Sequence, residues 1–409
     1  MKKRLLTLLC ALALILSAVS PAAALEGESE QAAKALSSLG LIDSLPSQEA
    51  LEAPATRLQA MRLLALLGGV PRSELPGGAQ YYVVAKGWTA VTSGQKDPIP
   101  TGEFCAALLR MLGYEGFTDE NAATFARRTA LISRDYGENL TLGELYELVR
   151  DALIFPDAEG TVLAKRLVEQ KVCSEEQVQF LFPRELTARQ TADRHMAAVF
   201  QLDVYYTEKA FKKQTRSNGG SGFFISEDGL AVTNYHTIEK AVQASVTLVT
   251  GETFPVEKVL FYDEDADLAL LRVSRTSLDK KTEVPFFSFL ELAEKPDLRR
   301  GDQVYALGAP LGLALTISGG VVSATNHKVA QFGLGCIVNT ADISHGSSGG
   351  ALLNTLGHVV GVTSGAYEAG NNLYIAIPLG PILEADWTAE GLTLREVKEE
   401  AEAAAKAAS

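Results

Sequence analysis

Cysteine is scarce in this chain: four residues in 409, at positions 10, 105, 173 and 336. No two of them form a Cys-x-x-Cys pair, which excludes the common zinc frameworks, and so small and scattered a set is no disulfide scaffold. Cys105, Cys173 and Cys336 are expected to be buried thiols. Histidine is almost as rare, with five residues, and His195, His327 and His358 have no ligand-spaced partners, so no metal is expected. Positive charge is outweighed, with 37 Lys and Arg against 50 Asp and Glu and a net charge of −13. That balance disfavours nucleic acid and anionic membrane surfaces as partners. No apolar run reaches the ~20 residues that span a bilayer. Gly219-Gly-Ser-Gly opens a strand pattern rather than a helix and lacks the lysine of a phosphate loop, so neither nucleotide nor any other cofactor is expected.

What is present is enough chain for about two to three domains, at 47% hydrophobic and 21% charged residues, the range of folded proteins. Residues 1–24 join a basic Met-Lys-Lys-Arg to an apolar run from Leu5 to Val19 and end on Ala22-x-Ala24, the small residues a signal peptidase accepts. They read as a secretory leader cleaved near Ala24, which places the mature chain outside the cytoplasm, secreted or held at the cell envelope. An uncleaved anchor would still face outward.

Residues 25–156 are rich in Leu and Ala at helical spacing and repeat loosely with a period of about forty residues. Ala55-Thr-Arg-Leu-Gln-Ala-Met-Arg, Pro100-Thr-Gly-Glu-Phe-Cys-Ala-Ala and Thr141-Leu-Gly-Glu-Leu-Tyr-Glu-Leu can be laid over one another. Each places a threonine turn before Gln or Glu and an apolar run, the pattern of a helix start followed by a buried face. Shorter helices are predicted ahead of each, near Glu30–Leu39, Tyr81–Lys86 and Asn121–Leu131. These units resemble S-layer homology repeats, with departures: only the first keeps the arginine, Arg57. In that family the arginine helps hold anionic wall polymer, so Arg57 is the polymer-binding candidate, set against a purely structural role for the region. Residues 157–191 read as a connector.

Beyond Met196 the period changes. Short runs rich in Val, Leu and Tyr, separated by Gly, Asp and Asn turns, predict an all-β barrel or sandwich over residues 192–386, followed by a solvated helical tail over 387–409. Three motifs in this region carry chemistry: Thr233-Asn-Tyr-His236, Asp263-Glu-Asp-Ala-Asp267 and His345-Gly-Ser-Ser348-Gly-Gly. A serine hydroxyl is a weak nucleophile until an imidazole takes its proton, and the imidazole needs a carboxylate to fix its tautomer and orientation. His236 is the candidate base, Asp267 the orienting carboxylate and Ser348 the nucleophile. Gly346 permits the tight turn that aims backbone N–H groups at a developing oxyanion. Asp342 lies six residues before Ser348 and is the candidate pocket carboxylate for a basic substrate side chain.

Gly220-Ser-Gly-Phe-Phe-Ile-Ser-Glu-Asp-Gly-Leu-Ala-Val-Thr-Asn-Tyr-His236, Gly301-Asp-Gln-Val-Tyr-Ala-Leu-Gly-Ala-Pro, Ser318-Gly-Gly-Val-Val-Ser-Ala and Ile375-Ala-Ile-Pro resemble the HtrA (Deg) branch of trypsin-like serine proteases. The resemblance implies a chymotrypsin-like all-β double barrel preceded by the all-α repeat region. It also implies an oxyanion hole from the N–H groups of Gly346, Ser347 and Ser348. The PDZ module common in that family has no counterpart among the motifs, and His345 stands where proline is usual. The expectation is an exported serine endopeptidase acting on exposed or unfolded polypeptide. The rival is a noncatalytic envelope-binding protein with wall polymer as partner and a latent protease domain. Oligomeric state stays open.

Overall fold

The computed structural model describes residues 27–75, 78–309, 315–343, 346–366 and 372–408; the leader read over 1–24 and His345 lie outside these. The first half of the described chain is helical: α1 (Glu28–Ser38), α2 (Gln48–Glu52), α3 (Arg57–Leu67), α4 (Ala79–Ala85), α5 (Thr101–Met111), α6 (Ala122–Arg128), α7 (Leu142–Leu153), α8 (Leu163–Glu169), α9 (Glu175–Val178) and α10 (Ala188–His195). Thr56 and Thr141 start α3 and α7 with reciprocal caps. Each hydroxyl accepts the N–H three residues on, while Gln59 and Glu144 reach back to the Thr56 and Thr141 N–H groups. Pro100 takes that place ahead of α5 and has no N–H to offer, so the box is missing there.

The three segments that precede α3, α5 and α7 are tied in a ring. Ala55 N–H donates to Leu140 C=O, Leu140 N–H to Ile99 C=O and Ile99 N–H to Ala55 C=O, at 2.9, 3.1 and 2.9 Å. The loose repeat of the sequence is thus a three-membered arrangement around one core that contains Leu64, Phe104, Leu108, Leu145 and Leu148. The 157–191 segment does more than connect, because Leu163, Leu167, Val178 and Leu181 are buried in that same core. Cys105, Cys173 and Cys336 are free and buried, and burial pushes the Cys105 thiol up to about 12.

Among the described residues, twelve strands then form two closed six-stranded barrels. The first holds β1 (Val199–Tyr205), β2 (Asn218–Phe224), β3 (Leu230–Thr233), β4 (Gln243–Thr247), β5 (Thr253–Asp263) and β6 (Leu268–Val273), in the order β1-β2-β3-β6-β5-β4, with short helices α11 (Glu208–Lys212) and α12 (Tyr235–Ile238) between strands. The second holds β7 (Gln303–Gly308), β8 (Thr316–Lys328), β9 (Gly335–Asn339), β10 (Ala351–Asn354), β11 (Val359–Ala366) and β12 (Tyr374–Pro378), in the order β10-β11-β12-β9-β8-β7. All neighbouring pairs are antiparallel, as the short turns require. Closure removes the open sheet edges that would otherwise need protection. Helices α13 (Gly380–Glu384) and α14 (Leu394–Ala408) follow. The tail expected to be solvated is docked instead: Leu394 and Val397 of α14 are buried in the first barrel's core cluster, as an amphipathic helix with one apolar stripe demands. Among the described residues no helix is long and apolar enough to cross a membrane.

The helical half sits against the first barrel. Phe286, from the stretch between β6 and β7, packs between Tyr114 and Phe125 with ring centroids 5.6 and 5.9 Å away. Arg128, 5% exposed, pairs with Glu252 of the β4–β5 turn at 2.9 Å.

Candidate active site

Strands β3 and β6 pair with Thr233 opposite Ala269, so the chain leaving β3 and the chain entering β6 meet at one end of the first barrel. That register places His236, in the first turn of α12, beside Asp267, the residue before β6. The imidazole Nδ1 lies 2.8 Å from Asp267 Oδ2 and 3.0 Å from Oδ1, and Oδ1 also accepts the His236 backbone N–H at 2.9 Å. The carboxylate is 8% exposed and the imidazole 45%, so the pair is buried at the acid and open at the base. Asp267 has φ +54°, a left-handed conformation that Asp and Asn tolerate best among residues with a Cβ. Its carbonyl is held by Asn234 Nδ2 at 2.8 Å, from a fully buried side chain. The other two aspartates of the motif, Asp263 and Asp265, lie outside this arrangement: Asp263 caps the turn by accepting Ala266 N–H.

Ser348 comes from the turn between β9 and β10 in the second barrel. Its hydroxyl donates to the Ser364 carbonyl at 2.7 Å, while the Ser364 hydroxyl donates to Asp267 Oδ2 at 2.9 Å. One residue therefore anchors both the serine and the carboxylate. Ser364 gained this position from a shift in the β11–β12 register between Thr363 and Gly365; a bulge of this kind re-aims a side chain out of the alternating pattern. Sequence reading missed it, because a single extra residue in a strand leaves no periodic signal.

The backbone around Ser348 is fixed by its carbonyls. The Ser347 C=O accepts Gly350 N–H at 3.0 Å and the Thr363 hydroxyl at 2.7 Å. Since a trans peptide sets its N–H opposite its C=O, pinning that oxygen aims the Ser348 N–H the other way. The Gly346 C=O accepts the hydroxyl of Ser221, a fully buried β2 residue, at 2.7 Å, and Gly346 has φ +96°. Ser221 also accepts Ala309 N–H at its hydroxyl and donates its own N–H to Ser348 C=O, both at 2.8 Å. The serine turn of one barrel is thus positioned by a strand of the other. Gly349 permits this approach: a Cβ there would lie 2.2 Å from Ser221 O.

Ser221 lies within Gly219-Gly-Ser-Gly, where nothing in the local sequence marks its hydroxyl as a support of the Ser348 turn. Replacing Ser221 with alanine frees the Gly346–Ser347 peptide to turn. The expected result is a fall in kcat of roughly ten- to a hundredfold, short of the loss of a direct oxyanion donor, with KM nearly unchanged. Steady-state kinetics on a peptide substrate checks the split; a rise in KM with kcat intact would mean that Ser221 only shapes the binding cleft.

The remaining candidates fare differently. Asp342 is exposed and accepts a hydrogen bond from the Tyr374 hydroxyl. Arg57 is engaged by Glu103, with Nε and Nη2 bonding its carboxylate at 2.9 Å, and by Asp97 at 3.5 Å. The guanidinium thus joins α3 to α5 within the ring of units. No group of three or more His, Cys, Asp or Glu among the described residues is arranged to hold a metal. A cavity at the junction of the helical half and the first barrel includes none of His236, Asp267 and Ser348.

Comparison with known proteins matches residues 220–362 to the trypsin-like peptidase domain. Serine protease HTRA1B of Danio rerio is 35% identical over 186 residues, taking in 44% of this chain and 37% of that protein. Serine protease HTRA4 of Mus musculus shows the same identity over 44% of this chain and 36% of its own length. The mitochondrial serine protease HTRA2 of Drosophila grimshawi is 37% identical over 174 residues, 40% of this chain and 37% of that one. The chain thus spans well under half of each of these relatives. A solved serine endoprotease from Yersinia pestis is similar at 24% identity and a TM-score of 0.41, covering 53% of this chain and 68% of that one. Residues 220–362, within a double barrel that brings His236, Asp267 and Ser348 to one site, are thus similar to a trypsin-like peptidase domain and to HtrA serine proteases.

Proposed function

We propose that this protein is an exported serine endopeptidase that cleaves exposed or unfolded polypeptide through an acyl-enzyme intermediate. The observation that carries the reading is the His236–Asp267 pair, with Ser348 and Asp267 both anchored on Ser364. In the proposed cycle, rotation about the Ser348 Cα–Cβ bond exchanges the Ser364 carbonyl for His236 Nε2. The imidazole then takes the hydroxyl proton as Oγ attacks the scissile carbonyl carbon, and Asp267 stabilises the imidazolium. The oxyanion is met by backbone N–H groups of the Gly346–Ser347–Ser348 turn. His236 passes its proton to the departing amine, and the acyl group stays on Ser348. Water, deprotonated by the same imidazole, releases the acid and restores the serine.

Export is read from residues 1–24, and polypeptide as substrate from the serine proteases that the domain resembles. Selection of Lys or Arg by Asp342 has little support, since that carboxylate is exposed and held by Tyr374. One observation favours the rival reading of a noncatalytic envelope protein: the Ser348 hydroxyl donates to Ser364 and not to His236. Wall polymer would in that case have to be held without a free Arg57, which is occupied by Glu103.

A fluorophosphonate probe decides between them, because it reports an activated serine without needing the substrate. Labelling of the native chain, lost in Ser348→Ala and His236→Ala, is the expected outcome. An unlabelled native chain would overturn the peptidase reading and bring the rival forward.

A further inference from the structure

The junction between the helical half and the first barrel encloses a cavity of about 1440 Å³, larger than the ~300–1,000 Å³ typical of a small-molecule site. Large apolar side chains are left exposed at few places on the described surface, and three of them line this one cavity. Phe180 is 50% exposed, Phe182 37% and Phe289 48%. They come from separate parts of the chain, two from the stretch before α10 and one from the stretch between β6 and β7, so their convergence is a product of the fold. Scattered apolar residues need no explanation, but several gathered in one cavity mark an interaction site.

The lining is polar elsewhere. Arg150 bonds Glu28 and Asp151, and Arg189 bonds Glu28, in a network of ion pairs. Arg194 gives a hydrogen bond to the Leu181 carbonyl. Counting the described lining residues, Glu28, Glu115, Asp151, Asp157, Asp193 and Glu227 set six carboxylates against the three guanidiniums of Arg150, Arg189 and Arg194. His195 adds no charge near neutral pH, because burial first, then Arg194 and His358, lower it to about 4. Glu115 and Glu227 are exposed and lie outside that network. Asp157 is paired with Arg166, so the cavity offers aromatic surface together with two exposed carboxylates, Glu115 and Glu227, outside the ion pairs.

We propose that this cavity is a second polypeptide-binding site, taking an extended segment that carries aromatic or branched aliphatic side chains and at least one lysine or arginine. The apolar side chains cover the three phenylalanines, and the cation meets Glu115 or Glu227. A carboxylate-rich segment would meet like charge. The inference rests on the peptidase reading, which makes polypeptide the class of molecule handled, but its site is separate from the serine.

The test uses the full chain as Ser348→Ala, so that binding is measured without cleavage. A fluorescein-labelled peptide alternating Phe or Leu with Lys is titrated by polarisation beside a counterpart with Asp in place of Lys. The lysine peptide should bind more tightly than its counterpart. Phe180→Ser with Phe182→Ser should weaken it about tenfold or more; both side chains are exposed, so folding is not at stake. Glu115→Gln with Glu227→Gln should erase the preference between the two peptides. A photoreactive lysine peptide should cross-link within Phe180–Arg194 and Pro285–Phe289. Unchanged affinity in the double phenylalanine variant, or cross-links confined to the neighbourhood of His236, would overturn the proposal. So would affinity that appears only once the residues before Gly27 are removed, which would assign the cavity to the chain's own N-terminal segment. Failure of the peptidase reading shows separately, as absence of probe labelling in the native chain.

Discussion

Asp267→Asn is expected to lower kcat by about four orders of magnitude with little change in KM. The carboxylate accepts three hydrogen bonds at once, from His236 N–H, His236 Nδ1 and the Ser364 hydroxyl. An amide has one acceptor oxygen, and its NH₂ group must face either the imidazole or Ser364. Facing the imidazole, it converts Nδ1 into an acceptor and moves the ring proton to Nε2, the nitrogen that has to take the Ser348 proton. Facing Ser364, it leaves the ring correctly protonated but removes the charge that stabilises the imidazolium. Either arrangement disables the base while the fold persists, since asparagine suits φ +54° as well as aspartate does. Steady-state kinetics and the rate of fluorophosphonate labelling should fall together. A variant that retained more than about a hundredth of the native rate would remove Asp267 from the orienting role.

The second large effect concerns stability. Arg128→Leu should destabilise the junction by about 2–4 kcal/mol, because it leaves the part-buried Glu252 carboxylate opposite an apolar side chain with only Thr250 as partner. Arg128 is almost wholly enclosed and its partner is 18% exposed, so water cannot replace the lost ion pair at low cost. Arg128→Leu combined with Glu252→Leu should recover most of the loss, as exchange of a whole buried pair for apolar residues commonly does. Urea unfolding followed by aromatic fluorescence checks this, since Phe286, Tyr114 and Phe125 report the same contact. Equal losses in the single and double variants would mean that the pair contributes through packing and not charge.

Much of the architecture could be read before the structure was known. Two of the three helix starts are written in local chemistry, Thr56 and Thr141 each followed three residues later by Gln or Glu, and local chemistry survives tertiary context. The change from helical period to short runs of Val, Leu and Tyr announced the barrels for the same reason. The His236, Asp267 and Ser348 motifs carry their signal in residue type and neighbours, and the fold brings them together. What could not be read depends on long-range geometry. Ser364 reaches Asp267 only because β11 holds an extra residue, and Ser221 reaches Gly346 only because two barrels meet along β2. The fate of Arg57 was hidden likewise, since a guanidinium beside a helix start looks free until Glu103 arrives from another unit. The burial of α14 was missed because its apolar stripe is thin amid many Ala and Glu residues.

The ring through Ala55, Ile99 and Leu140 has a consequence for how this region can vary. A stack of repeats has two ends, and evolution or an engineer can add or remove a member there at the expense of one exposed face. A circle of three has none. Each segment gives its N–H to one neighbour and its C=O to the other, so excision of the middle unit would strand a donor on one side and an acceptor on the other inside a closed core. A fourth unit would have to open the circle to enter it. The helical half is therefore a module of fixed size, whose members can change in sequence but not in number.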